Sequence, residues 1–169
     1  MCNMDWMIYG TELLVMIICF TLMVTIPITI NPVSFISDFP PEIQEAYYRS
    51  QNVEKKKEAL KKVMIVKKAA VLIAALFLCA WMAHIAGART FWQGTLLVFS
   101  YVAVIAAFDT FVLDWIFFAR VKRWRLPGTE HMEREYRQKW FHLKGVLTAA
   151  PLGVVFAVVA GAVMMWIFQ

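Results

Sequence analysis

Four stretches of the chain are long, apolar and nearly free of charge: Ile8 to Ile30, Ala69 to Gly87, Phe91 to Phe118 and Gly145 to Phe168. An α-helix needs about 20 such residues to cross a hydrocarbon layer. The pattern predicts one all-α integral membrane unit over 1–169, a bundle of four transmembrane helices with spans at about 8–30, 69–87, 91–118 and 145–168. Polar segments 31–68 and 119–144 separate the first span from the second and the third from the fourth. Only Gly87 to Thr90 lies between the second and third.

The polar segments carry helix signals of their own. Span one ends in Thr25-Ile26-Pro27-Ile28-Thr29-Ile30-Asn31-Pro32, where two prolines remove backbone donors, so the helix is expected to kink or stop. Ser37 to Glu42 reads as a helix start, with prolines tolerated in the first turn and an acid near the positive end of the dipole. That helix is expected from about Glu42 and breaks near Ser50-Gln51-Asn52. A second helix from about Val53 runs into span two, with Glu54 and Glu58 at helical spacings from Lys57, Lys61 and Lys62. Pro127-Gly128 marks a turn, and Thr129 is placed to cap a further helix whose first turn holds Glu130 and Glu133. Met132, Tyr136, Trp140 and Leu143 would form its apolar stripe, as on a helix lying in the membrane interface.

Composition and charge turn these segments into a topology. Hydrophobic residues make up 61% of the chain, above the roughly 45–50% of soluble domains. Of its 17 Lys and Arg residues, 16 fall within Arg49 to Lys68 and Arg120 to Lys144, and the other is Arg89. Basic loops stay in the cytoplasm. Four spans then put both termini and the Arg89 connection outside, whereas a fifth span would misplace one basic cluster. The topology suits a prokaryotic cytoplasmic membrane. Trp115, Phe117, Trp124 and Trp140 at one boundary and Trp6, Trp81, Trp92 and Trp166 at the other fit two aromatic belts. The net charge of +5 flanks apolar spans instead of forming a basic domain, so anionic lipid headgroups are the expected counter-charge and nucleic acid is not. Cys2, Cys19 and Cys79 form no CxxC motif. Asp5 and Glu12 stand where a cleaved leader would carry basic residues, so the first span is expected to be retained.

Two features in the spans bear on function. Gly145, Ala149, Gly153, Ala157 and Gly161 recur at every fourth position, an extended small-residue ridge that lets helix backbones approach closely in lipid. Ala75, Cys79, Ala83 and Gly87 form a weaker counterpart in span two. The ridge would serve packing of these two helices, or the seam of a homo-oligomer or of a contact with another membrane subunit. The second feature is Asp109, an acid one to two turns inside the cytoplasmic end of span three. Such acids are costly in lipid, usually face the bundle interior and often mark ion or proton pathways. A structural role, as a buried hydrogen bond or a pairing with a snorkelling cation, would equally account for Asp109. Asp114 is a second ion- or proton-binding candidate. Five residues turn an α-helix by about 140°, so the two acids are expected on different faces, and an ion pair with Arg120, Lys122 or Arg123 would account for Asp114. Glu12 reads as interfacial.

The remaining polar candidates are weak. Glu130, His131 and His142 lie in or beside the second cytoplasmic segment, with Glu133 and Glu135 near, but no HxxxH or HExxH motif occurs and no metal site is expected. Catalytic residues and cofactor are not identifiable. Three classes of function are compatible with this pattern: an ion- or proton-linked transporter or channel-like homo-oligomer using Asp109, an accessory or scaffold subunit docking through the ridge, and a membrane-embedded enzyme at the cytoplasmic interface.

Overall fold

In the computed structural model every regular element among the described residues is helical. The structure describes residues 4–51 and 59–168, and side-chain surroundings for 4–51 and 69–168. In chain order the elements are α1 (Trp6–Ile30), a 3-10 segment (Pro32–Asp38), α2 (Pro41–Ser50), α3 (Ala59–Ile85) and α4 (Phe91–Phe108). A π-helical segment (Asp109–Phe118) extends α4, and a short 3-10 turn (Lys122–Trp124), the single turn α5 (Glu133–Tyr136) and α6 (Lys139–Phe168) follow. The expected helix start at Val53 and the Glu54, Glu58, Lys57, Lys61 and Lys62 pairs lie outside the described residues.

Three helical stretches are long and apolar enough to cross a membrane: Trp6–Ile30, Phe91–Phe118 and Glu133–Phe168. The apolar part of α3, Ala69–Ile85, is shorter. Large apolar side chains face outward along all of them, among them Leu22, Leu72, Leu96 and Leu152. A water-soluble fold buries such residues, so the surface is the kind that lipid covers. These are the features of a membrane protein.

Helix α1 starts where the Asp5 carboxylate accepts from the Met7 and Ile8 N–H groups at 3.0 and 3.1 Å. Along it the hydroxyls of Thr11, Thr21 and Thr25 donate to carbonyls four residues back, which satisfies them without water. The helix carries Pro27 in its interior and stops at Ile30. Of the two prolines it is the second that ends it: Asn31 turns extended ahead of Pro32, and its side chain caps the 3-10 segment through the Val33 N–H.

The described chain divides into two compact units. The first comprises Met1–Met16, Lys56–Ile105 and Ala149–Gln169. Its core is made mainly of small residues, with Cys79, Ala80 and Ala83 of α3 packed with Leu97 and Val98 of α4 and Ala157, Ala160 and Met164 of α6. The approach of α6 to α4 is close. A Cβ on Gly161 would lie 2.9 Å from the Thr95 nitrogen and 3.1 Å from the Phe91 carbonyl oxygen, and one on Gly94 would lie 2.8 Å from Met164 Sδ. The α3 to α4 connection turns at Gly87, whose φ of 95° suits glycine, and Arg89 donates to the His84 and Ala88 carbonyls.

The second unit comprises Ile17–Lys55 and Ala106–Thr148. Ile28, Phe39, Ile43, Phe118, Trp124, Leu126 and Tyr136 form its core. Trp124 Nε1 donates to Thr29 Oγ1 at 2.8 Å, and Gln44 Nε2 donates to the Phe39 carbonyl at 2.7 Å. The helix expected from Thr129 does not form. The Thr129 hydroxyl donates to the Leu126 carbonyl and meets the Tyr136 hydroxyl at 2.7 Å, so it ties a turn together instead of capping a helix. The expected apolar stripe is divided in consequence: Tyr136 is buried at the end of α5, Arg137 leaves helical geometry, and Trp140 belongs to α6 and is exposed.

Candidate functional site

The site is organised by the winding of residues 109–118. A π-helix closes its hydrogen bonds over five residues, so its turn is wider than an α-helix's and side chains five apart fall on the same side. That brings Asp109 and Asp114 together and overturns the 140° separation expected from α geometry. Asp109 is half-buried and within electrostatic reach of Asp114, His142 and Asp38.

The π-helical segment and the first turn of α6 then meet through one polar contact. Asp114 Oδ2 lies 3.1 Å from His142 Nδ1, with 21% of the aspartate side chain and 9% of the histidine side chain exposed. Among the described residues it is this histidine, and not Arg120, Lys122 or Arg123, that lies within ion-pair distance of Asp114. The Phe118 and Phe141 rings meet the imidazole edge to face at 5.4 and 5.3 Å between centroids, which fixes its plane. Its other nitrogen, Nε2, is buried and has no hydrogen-bond partner among the described residues, and the same holds for Nε1 of Trp115.

Both rings line a cavity of about 280 Å³ that also takes in Asp114, Arg120, Arg137 and Lys139. The Lys139 ammonium sits 4.9 Å from the centre of the Trp115 ring, a cation–π contact. Arg137 pairs loosely with Glu133 at 3.9 Å. The arrangement is a row of three polar groups, Asp109, Asp114 and His142, ending at a basic cavity.

The other sequence candidates lie elsewhere or do different work. Glu130 accepts from the Gly128 N–H at 3.1 Å and so closes a turn, while His131 is exposed. Among the described residues no group of three His, Cys, Asp or Glu side chains is placed to hold a metal ion. The small-residue ridge is used unevenly. Ala157 and Gly161 are buried and Gly153 is half-buried, a Cβ on it lying 3.2 Å from Val102, whereas Gly145 and Ala149 are exposed and a Cβ on Gly145 would meet nothing within 4 Å.

Two polar groups were missed from the sequence as partners. Tyr101, fully buried, donates to Glu12 Oε2 at 2.5 Å, so Glu12 is held by a phenol. Tyr9 stacks on Tyr101 at 5.2 Å and meets Ser100 Oγ at 2.9 Å. Arg125 is buried, donates to the Glu130 carbonyl at 2.6 Å and stands 5.3 Å from the Tyr136 ring centre. An acid inside a span was the available signal for the first; the second lay within a run of basic residues and had none.

Compared with protein-family models, with curated proteins and with solved structures, the chain matches none. Function therefore has to be argued from the site.

Proposed function

We propose that the protein is a small ion- or proton-linked transporter or channel-like homo-oligomer. Asp109 is its intramembrane carboxylate, and Asp114 and His142 carry protons or cations between it and the basic cavity. The observation that carries the reading is the π-helical winding that holds Asp109 within electrostatic reach of Asp114, together with the 3.1 Å Asp114–His142 contact. A carboxylate in lipid is retained where it has work to do, and π-helical segments are frequent at functional sites. A carboxylate, a second carboxylate and an imidazole in sequence are groups that can each take up and release a proton.

In this reading the chain crosses a prokaryotic cytoplasmic membrane four times, with both termini outside and 31–68 and 119–144 inside beside anionic headgroups. The charge asymmetry supports that count, with Ala69–Ile85 as the second span. Four helices make a thin pore wall, which is the argument for several copies.

A second reading, a non-enzymatic accessory subunit, is favoured by one observation. The Gly145 and Ala149 end of the ridge is exposed, which leaves a close-approach surface free for another helix. Gly145→Leu tests it more cleanly than Gly153→Leu, because a side chain at 153 would also collide with Val102 inside its own fold.

Native mass spectrometry of the protein released from nanodiscs separates the two. A homo-oligomer that retains an ion lost in Asp109→Asn supports transport. A ligand-free protein held to a different membrane protein, and freed by Gly145→Leu, turns the assignment to the accessory subunit.

A further inference from the structure

The cavity beside His142 has a chemistry that proton movement alone does not require. Arg120, Arg137 and Lys139, all exposed at its walls, supply three fixed positive charges, set against the Asp114 carboxylate in the same walls and the Glu133 carboxylate that pairs loosely with Arg137. That carboxylate is turned to Nδ1 of His142. An imidazole held in this way presents a donor at Nε2 when it is protonated, and Trp115 Nε1 is a donor in every state. These are the two ring nitrogens that are buried without partners. The His142 side chain is more than nine-tenths buried, and His142 and Trp115 are both among the residues that line the cavity. The 30-residue helix α6 begins at Lys139, and the positive end of its dipole adds to the same field.

We infer that this cavity binds a phosphate-type oxyanion, with Arg120, Arg137 and Lys139 supplying charge and hydrogen-bond donors beside the His142 and Trp115 rings. Guanidinium groups match the paired oxygens of phosphate, and the Lys139 ammonium already lies against the Trp115 ring. The oxyanion comes either from a soluble phosphate compound or from the headgroup of an anionic phospholipid. The chemistry of recognition is shared. The inference goes beyond the transport reading and does not depend on it, because occupancy is read at equilibrium with no ion movement.

The test uses the full chain in phosphatidylcholine nanodiscs, with radiolabelled inorganic phosphate in equilibrium dialysis. A parallel sample, in nanodiscs of equal phosphatidylcholine and phosphatidylglycerol, is read by native mass spectrometry for retained lipid. The comparison variants are Arg137→Gln with Lys139→Gln, both at exposed positions, and Lys122→Gln, an exposed cation outside the cavity. Each lost charged hydrogen bond weakens binding by about tenfold or more. Saturable phosphate binding weakened to that extent in the double variant but not in Lys122→Gln supports the inference with a soluble ligand. Selective retention of phosphatidylglycerol that the double variant loses supports it with a headgroup. Phosphate binding and lipid retention that are the same in wild type and double variant overturn it, as does an equal loss in Lys122→Gln.

Discussion

Replacing Gly161 by alanine is the sharpest probe of how α6 is held. The new Cβ would stand 2.9 Å from the Thr95 nitrogen and 3.1 Å from the Phe91 oxygen. Both are backbone atoms of the facing helix segment, so no rotamer change relieves the contact and the helices must separate. Overpacking of this kind costs about 1–3 kcal/mol, and the gain in helix propensity over glycine returns only about 0.5–1 kcal/mol. The same substitution at Gly145 meets no atom within 4 Å and keeps only the propensity gain. The two variants are expected to differ by about 2 kcal/mol, a factor of roughly 30 in the folded-to-unfolded ratio. The assay is reversible unfolding by SDS in mixed micelles, followed by circular dichroism at high dilution. A Gly161→Ala protein as stable as wild type, or a Gly145→Ala protein as damaged as Gly161→Ala, would refute the packing argument.

Other expectations use the same unfolding assay. Tyr101→Phe removes the donor to Glu12 and is expected to cost about 1–3 kcal/mol; equal stability of Tyr101→Phe and wild type would mean the contact contributes nothing. Thr29→Val keeps the side-chain shape but removes the acceptor of the Trp124 Nε1 bond, a loss of about 1–3 kcal/mol. Gly128→Ala meets a positive φ of 84° and the Ser50 side chain, so a loss of about 1–2 kcal/mol is expected, of which Ser50→Ala recovers only what the Oγ contact contributes. Arg125→Lys is expected not to restore the stability lost in Arg125→Ala, because a lysine lacks the planar group that lies against Tyr136 while reaching the Glu130 carbonyl.

The parts of this molecule that were legible in the sequence are those written in local pattern. Long apolar runs marked Trp6–Ile30 and Phe91–Phe118 to within a few residues, and the last helix at its end but not at its start, which lies at Lys139 and not Gly145. The break after Ser50 was visible in its polar residues, and Asp109 stood out because lipid makes an isolated acid expensive. The partnerships were not legible. Periodicity assigns faces on the assumption of α geometry, and nothing in Asp109 to Phe118 announces the wider winding that stacks two acids five residues apart. His142 pairs with Asp114 from another helix, and Tyr101 reaches Glu12 across a separation of 89 residues. Such contacts leave no local signature. Thr129 failed as a cap for a related reason: the phenol of Tyr136 competes for its hydroxyl, and a capping pattern cannot show a competitor seven residues on.

The central claim is that Asp109, Asp114 and His142 act as one unit in ion movement. Proteoliposomes containing a pH-sensitive dye, driven by an imposed membrane potential, measure it directly in Asp109→Asn, Asp114→Asn, His142→Gln and the Asp114/His142 double variant. The account predicts that Asp109→Asn, folded as wild type, abolishes proton flux, and that the double variant is no slower than the worse of its two single variants, the mark of residues in one chain of transfer. Flux through folded Asp109→Asn equal to wild type, or no flux above protein-free liposomes from wild type under any imposed gradient, would contradict it.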